Sequence, residues 1–177
     1  QRVLDVNLPG VFPCAQQAAR RMHSSDGGVI LMTASTNGLS GHEYYADYNA
    51  SKAGVILLAR TMARELAPTV RVNAVCPGYV LTPMQEAEYS PAMPAEVNAS
   101  IPIGRPAAPE EIASLYAFLP SDEGAYFPGP LLPIDGGEAA YPRGGDTTRA
   151  PPLRAGPNHY RITTQPPAAR RRRPADT

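Results

Sequence analysis

Apolar residues recur every three or four positions near the start of the chain. Val6, Phe12, Ala15, Ala18, Ala19 and Met22 predict one helix over residues 5–22 with a single packed face. Pro9 and Pro13 fall inside that span. An interior proline costs about 3 kcal/mol, so the helix is expected to start late or to be kinked there. Asp26-Gly27-Gly28 closes it with turn residues. The run Val29-Ile30-Leu31-Met32-Thr33-Ala34 lacks polar alternation, which predicts a strand buried on both faces and hence a parallel sheet. Residues 48–67 are good helix formers. Val55, Leu58, Met62 and Leu66 give them one apolar stripe and Ala53, Ile56 and Leu57 a second, so a wide buried face is expected, ended by Pro68. Residues 70–75 read as a second strand. Pro77-Gly78 breaks it and opens a long connection through Pro102, with Met84, Tyr89, Met93 and Val97 as candidate apolar contacts to a substrate. Pro109-Glu110-Glu111 starts a helix running to about Leu119, and residues 131–134 form a last strand ended by Asp135-Gly136-Gly137. Helix and strand alternate throughout, as in an open α/β sheet with helical crossovers.

Composition alters this picture at the carboxyl end. From Tyr141 onward the chain is Pro, Gly, Arg and Thr with few large apolar residues, which cannot offset the entropy of ordering, so residues 141–177 are expected to be a disordered tail. Charge divides at the same place. Residues 1–140 hold 8 Lys and Arg against 14 Asp and Glu, and residues 141–177 hold 8 against 2, so the net charge of zero joins an acidic part to a basic one. The cluster Arg170 to Arg173 has no interleaved aromatic residues, and solvated charge is the simpler reading than nucleic-acid binding. No run of eighteen apolar residues and no basic-then-apolar leader occurs, and a soluble cytoplasmic protein is the expectation. Cys14 and Cys76 lie far apart without further ligands at metal spacing; both read as small buried hydrophobes, and no metal site is expected.

The chemistry gathers around Tyr48. Tyr48-Asn49-Ala50-Ser51-Lys52 places a phenol and an ammonium four residues apart at the start of a helix, on one face. A free phenol holds its proton too tightly for exchange near neutral pH, and a neighbouring cation favours the phenolate. Ser35 lies thirteen residues earlier, at the end of the first strand, where parallel sheets present groups to ligands, and its hydroxyl can hydrogen-bond a carbonyl oxygen as charge develops there. Taken singly, each has an ordinary structural reading: a packed aromatic, a surface charge, a turn cap.

Together with Ser35-Thr36-Asn37-Gly38, Arg71-Val72-Asn73-Ala74-Val75-Cys76-Pro77-Gly78, Asp135-Gly136-Gly137 and Val6-Asn7-Leu8, this ordered set resembles the short-chain dehydrogenase/reductase family over residues 1–140. The resemblance implies an incomplete Rossmann-like, doubly wound parallel sheet comprising the last three strands and their helices. It also implies hydride transfer between NAD or NADP and a small alcohol or ketone. Tyr48 would be the general acid/base. Lys52 would favour its phenolate and hold the nicotinamide ribose, Ser35 would polarise the substrate oxygen, and Asn7 would hold a water linking Lys52 to solvent. Pro77, Gly78, Val80 and Thr82 match the family's loop against the nicotinamide and its phosphate. Assembly with a second copy through the two long helices is implied as well.

The sequence departs from that family's pattern in two respects. No Gly-x-x-x-Gly-x-Gly precedes Ser35, and four of the family's seven strands have no counterpart, so the first retained strand should expose an edge and affinity for NAD(P) should be poor. The residue that selects NAD or NADP is not present. Proline is abundant, 21 in 177 residues, and Pro128, Pro130 and Pro133 crowd the last strand, where a central strand would need its amide donors. Two readings therefore stand side by side: an NAD(P)-dependent oxidoreductase, or a catalytically inactive remnant or oligomerisation module that lacks the cofactor-binding half.

Overall fold

Three strands carry the architecture, and the middle one has a partner on each side. The computed structural model describes residues 2–83, 93–129 and 131–140, all within one compact unit, Gln1–Pro142. The tail expected at 141–177 lies outside the described residues, as do Met84, Tyr89 and Pro130. Strand β1 (Gly28–Thr33) pairs in parallel with β2 (Val70–Pro77), Gly28 opposite Val70 and Thr33 opposite Val75. Strand β3 (Leu131–Ile134) pairs with the far end of β2, Ala74 opposite Leu131 and Pro77 opposite Ile134. The order β1-β2-β3 leaves β1 at an edge of the described sheet, as the sequence predicts.

Side chains of β2 alternate between two buried faces. Val70, Val72, Ala74 and Cys76 enter the main core, with Ile30 and Met32 of β1 beside them. Helices α2 (Val11–His23) and α3 (Ala46–Leu66) cover that face through Ala15, Ala19, Val55, Ile56, Ala59, Met62 and Ala63. The many alanines let both helices approach the sheet closely. Arg71, Asn73 and Val75 point to the other face. There the Arg71 guanidinium donates to the Leu119 and Gly124 carbonyls at 2.8 and 2.9 Å, tying β2 to the end of a further helix, Pro109–Phe118. A short helix, α4 (Met93–Ser100), interrupts the long connection after β2, and its Val97 is buried. The helix Pro109–Phe118 is thus α5. Glu111 closes its first turn by accepting the Ala108 N–H at 2.8 Å, and α3 stops where Ala67 turns extended ahead of Pro68.

Four details correct the sequence reading. The helix expected over 5–22 is two: α1 (Arg2–Asn7) and α2, separated at Leu8-Pro9-Gly10. Pro9 offers no N–H and crowds the preceding turn, whereas Pro13 falls in the first turn of α2, where an amide has no helical partner to lose. The break shifts the phase, so Leu8 and Val11 pack against the core while Val6 and Phe12 are exposed. The wide face of α3 is narrower than expected, since Ala53 and Leu57 face solvent. Pro133 sits in β3, which pairs with β2 alone among the described residues, and an edge strand tolerates a missing donor. Finally, Cys14 is exposed, and only Cys76 is buried.

Burial pushes the Cys76 thiol up to about 11, the neighbouring Asp135 adding to the effect, so it is both inaccessible and protonated near neutral pH. A disulfide reagent at pH 8 is therefore expected to titrate one thiol in the native protein and two in denaturant. Two fast-reacting native thiols would contradict the packing of β2. Asn73 is wholly buried, and among the described residues neither its amide nitrogen nor its amide oxygen has a hydrogen-bond partner. A buried orphan amide costs about 1–3 kcal/mol. Asn73→Val, which suits a strand and has no polar group to satisfy, should raise the urea midpoint by a comparable free energy.

Candidate active site

The carboxyl ends of the three strands converge, and each delivers one of the sequence motifs. Two residues beyond β1, Ser35 caps a short 3-10 turn, Thr36–Gly38, and is 8% exposed. Its Oγ accepts the Asn37 N–H at 3.2 Å and donates to Asn37 Oδ1 across a long 3.4 Å. Gly38 explains how this turn lies against α3. A Cβ there would sit 2.7 Å from the Lys52 carbonyl carbon and 2.8 Å from the Ala53 nitrogen, so only glycine lets the two backbones meet.

Tyr48 is the third residue of α3 and is half-buried. Asp47 Oδ1 accepts its backbone N–H at 2.9 Å, which satisfies one orphan donor of the helix start. The Tyr45 ring stands edge-on to it at 6.4 Å. One turn further along, Lys52 Nζ lies 5.5 Å from the Tyr48 ring centroid and donates to the Thr33 carbonyl at 3.0 Å. That carbonyl belongs to the last residue of β1, whose side-chain Oγ1 lies 2.6 Å from the Tyr116 hydroxyl of α5. Lys52 thus joins α3 to the end of the sheet. Just ahead of α3, Tyr44 adopts a left-handed φ of 67° and is 98% exposed, an unusual conformation for an aromatic residue.

Asn7, the last residue of α1, donates from Nδ2 to Ser51 Oγ at 3.1 Å, and Ser51 Oγ donates to the Tyr48 carbonyl at 2.7 Å. Asn7 therefore reaches the first turns of α3 through Ser51, and no hydrogen bond joins it to Lys52 among the described residues. Ser35 and Tyr48 likewise make no direct bond to one another among the described residues.

The segment after β2 packs against the turn that follows β3. Pro77 ends the strand, and the Gly78 N–H donates to the Ile134 carbonyl at 3.2 Å. Asp135 Cβ and Glu138 Oε2 would each lie 2.8 Å from a Cβ on Gly78, which is why a glycine stands against the Asp135-Gly136-Gly137 turn. Asp135 accepts the N–H groups of Gly137 and Ala139, and the positive φ of Gly136 and Gly137 makes that turn possible. Glu138 Oε2 accepts from Thr36 Oγ1 at 3.4 Å, joining the ends of β3 and β1. Val80 is held by a parallel bridge to Ala107, and Thr82 lies half-buried just beyond it.

Sequence reasoning singled out Ser35, Tyr48 and Lys52 but missed Thr33, Asn37, Asn49, Ser51 and Tyr116, which hold them. Asn37, Asn49 and Ser51 stand inside the quoted motifs. Thr33 and Tyr116 carry no local signal, because they meet across 83 residues.

Burial lowers the Lys52 pKa, and a negative charge at Cys76 would raise it, but the thiol is neutral near pH 7, so burial governs. Below its lowered pKa Lys52 is charged in the folded and the unfolded chain alike, and the folded protein bears the full cost of burying that charge. Between that value and the ordinary 10.5 the unfolded chain binds more protons, so stability rises with pH across that window. Lys52→Met should accordingly unfold at higher urea than the native protein at pH 7, with the difference shrinking as the pH approaches 10.5. A constant difference across that range would show that burial of the charge is not the cause.

Comparison with known proteins accords with this geometry. A family model described as enoyl-(acyl carrier protein) reductase, of the short-chain dehydrogenase type, matches residues 1–138. The 3-oxoacyl-(acyl-carrier-protein) reductase FabG of Thermotoga maritima is 43% identical over 136 residues, covering 76% of this chain and 55% of that protein. The 3beta-hydroxysteroid dehydrogenase 1 of Eggerthella lenta is 40% identical over 145 residues, covering 80% of this chain and 56% of that protein. Among solved structures, acetoin dehydrogenase YohF from Salmonella typhimurium superposes with a TM-score of 0.69 at 36% identity, over 78% of this chain and 54% of that one. A 4-hydroxyisoleucine dehydrogenase mutant complexed with NADH and succinate gives a TM-score of 0.74 at 31% identity, over 78% and 58%. The chain thus spans about half the length of the curated relatives it matches. With its motifs gathered at the strand ends and its match running through residues 1–138, the chain belongs to the short-chain dehydrogenase/reductase family.

Proposed function

We propose that residues 1–140 carry the proton-handling half of a nicotinamide-dependent alcohol and carbonyl oxidoreductase, and that the 177 residues alone hold this site without turning over. Lys52, fixed to the end of β1 and 5.5 Å from the Tyr48 ring, is the observation that carries the reading. Membership of the family implies a nicotinamide cofactor, which supplies or accepts the hydride when bound. The residues present suit its ribose end. Lys52 offers ammonium donors beside the Tyr48 phenol, and the end of β2 and the segment after it supply Pro77, Gly78, Val80 and Thr82. The adenosine and pyrophosphate find no glycine-rich turn before Ser35.

Within that site Tyr48 would exchange a proton with the substrate oxygen, and Ser35 would donate a hydrogen bond to the same oxygen. Lys52 would hold positive charge beside the phenol. Asn7 would brace the first turns of α3 through Ser51, a role drawn from the observed bond rather than from a water. The names of these relatives specify substrates as different as a 3-oxoacyl-(acyl-carrier-protein), a 3beta-hydroxysteroid and acetoin. A secondary alcohol and its ketone are what these have in common, which supports a small alcohol or ketone as the substrate class proposed for this chain.

A second reading concerns assembly. Leu57 on α3 is 64% exposed, and a groove of about 330 Å³ lined by Leu57, Arg60, Thr61, Ala63, Arg64, Pro128 and Gly129 runs beside it, well along the helix from Tyr48. An apolar residue and a groove on the outer face of α3 favour pairing with a second copy through the long helices. No helix among the described residues is long and apolar enough to cross a membrane.

Titrating the chain with NADH and with NADPH, by nicotinamide fluorescence alongside far-ultraviolet circular dichroism, tests the proposal. A folded chain with no saturable binding in the micromolar range and no ketone reduction is expected. Saturable binding with turnover that falls by about 10²–10⁴ in Tyr48→Phe would assign the acid/base role to Tyr48 and overturn the claim that the chain alone is idle.

A further inference from the structure

A hydrogen-bond relay links α3 to Ser35 through two asparagine side chains. Asn49 directly follows Tyr48 on α3, and both ends of its side-chain amide are engaged by other segments. Its Nδ2 donates to the His42 carbonyl at 2.9 Å, and its Oδ1 accepts from Asn37 Nδ2 at 2.9 Å. Asn37 in turn touches Ser35 twice, through its backbone N–H and its Oδ1.

The chemistry of these groups fixes the direction of every bond. A backbone carbonyl only accepts, so Asn49 must turn its NH2 toward His42 and its oxygen toward Asn37. Asn37 must then present its own NH2 to Asn49, which leaves Asn37 Oδ1 facing Ser35 Oγ. The hydroxyl of Ser35 already accepts the Asn37 N–H, so its proton is the part left over. At rest that proton points to Asn37 Oδ1 across 3.4 Å, at the far limit of hydrogen bonding. A carbonyl oxygen arriving beside Ser35 would compete easily for it. The relay therefore makes Ser35 a donor and ties it to the helix turn that bears Tyr48.

We propose that Asn49 is a positioning residue which, through Asn37, holds the Ser35 hydroxyl as a hydrogen-bond donor in register with Tyr48. This rests on the reading of Ser35 given above. Asn49 acts through Asn37 and touches neither substrate nor cofactor.

The test uses the isotope-labelled 177-residue chain and backbone amide hydrogen exchange, which does not depend on turnover. Asn49→Leu removes both bonds, and protection of the Asn37 N–H is expected to fall about tenfold, the worth of one hydrogen bond. Amides of β2 should remain within about twofold of their native protection, since their ladder is untouched. Ser35→Ala removes the acceptor of the same N–H, and combining it with Asn49→Leu should cause no further loss. Asn49→Asp keeps an acceptor for Asn37 Nδ2 and gives up only the bond to His42, so it should retain Asn37 protection. Should Asn49→Leu loosen β2 as well, the aspartate variant decides: protection retained supports the relay, and protection lost with β2 intact overturns it. Unchanged protection in Asn49→Leu, or losses that add in the double variant, would also overturn it. Absence of nicotinamide binding bears on the proposed function and leaves this coupling unaffected. If the chain turns over, Asn49→Leu should lower kcat by about tenfold with KM little changed, because a hydrogen bond made to the developing oxyanion is lost and ground-state contacts are not. A rise in KM at constant kcat would count against the proposal.

Discussion

Strand β2 is the constraint on which the rest of the described structure depends. It is the strand with a neighbour on each side, and its residues from Val72 to Cys76 are wholly or almost wholly buried. Parallel pairing with β1 and β3 puts all three carboxyl ends at one edge, and the helices laid on both faces keep them there. Ser35, Pro77 and Asp135 are far apart in sequence, yet each stands within two residues of a strand end. Their proximity follows from register alone. The Thr36–Glu138 bond and the Gly78–Ile134 bond then close the strand ends against one another.

Two polar groups violate the usual economy of a folded core, and they do so differently. Lys52 donates to the Thr33 carbonyl, yet its partial burial disfavours its own charge. A solvent-facing lysine would be more stable, so the placement is the kind of local penalty that functional sites carry. Asn73 lies on the opposite face of β2 with both amide atoms unpartnered among the described residues. No role in the Tyr48 site accounts for it, and nothing else in the structure explains its amide. The strained φ of Tyr44 belongs with the first kind, since it sits in the turn that leads into Tyr48.

Periodicity made most of the fold legible in the sequence. Turn signals bound residues 131–134, and its proline and acids mark the helix after Pro109; the unalternating run at β1 gives the strand, although its burial on both faces is incomplete because Leu31 is half-buried and Thr33 exposed. The failures have two causes. A pattern of apolar residues across Pro9 assumed one continuous helix, and once the chain breaks there the phase that placed Val6 and Phe12 in the core no longer holds. Burial of Cys14 was inferred from residue type, and the helix simply turned it outward. At the site, local spacing exposed Tyr48 and Lys52 because one helical turn brings them together. The Ser35–Asn37–Asn49 relay was not legible, because its partners meet only when the turn after β1 packs on α3.

That packing decides how much of the site can persist in a chain of this length. Gly38 lets the turn press directly on the backbone of Lys52 and Ala53, and Asn7 and Asn49 fasten α3 to the segments on either side. All of these contacts lie within residues 1–140. On the proposed reading, the proton-handling geometry is thus self-supporting, whereas holding the phosphates of a nucleotide calls for a glycine-rich turn, and none precedes Ser35 in these residues. Chemistry that depends on one strand end and one helix start is separable from binding that depends on a whole sheet. On the proposed reading, the order of the acid/base constellation is therefore a separate question from the strength with which a nicotinamide nucleotide is held.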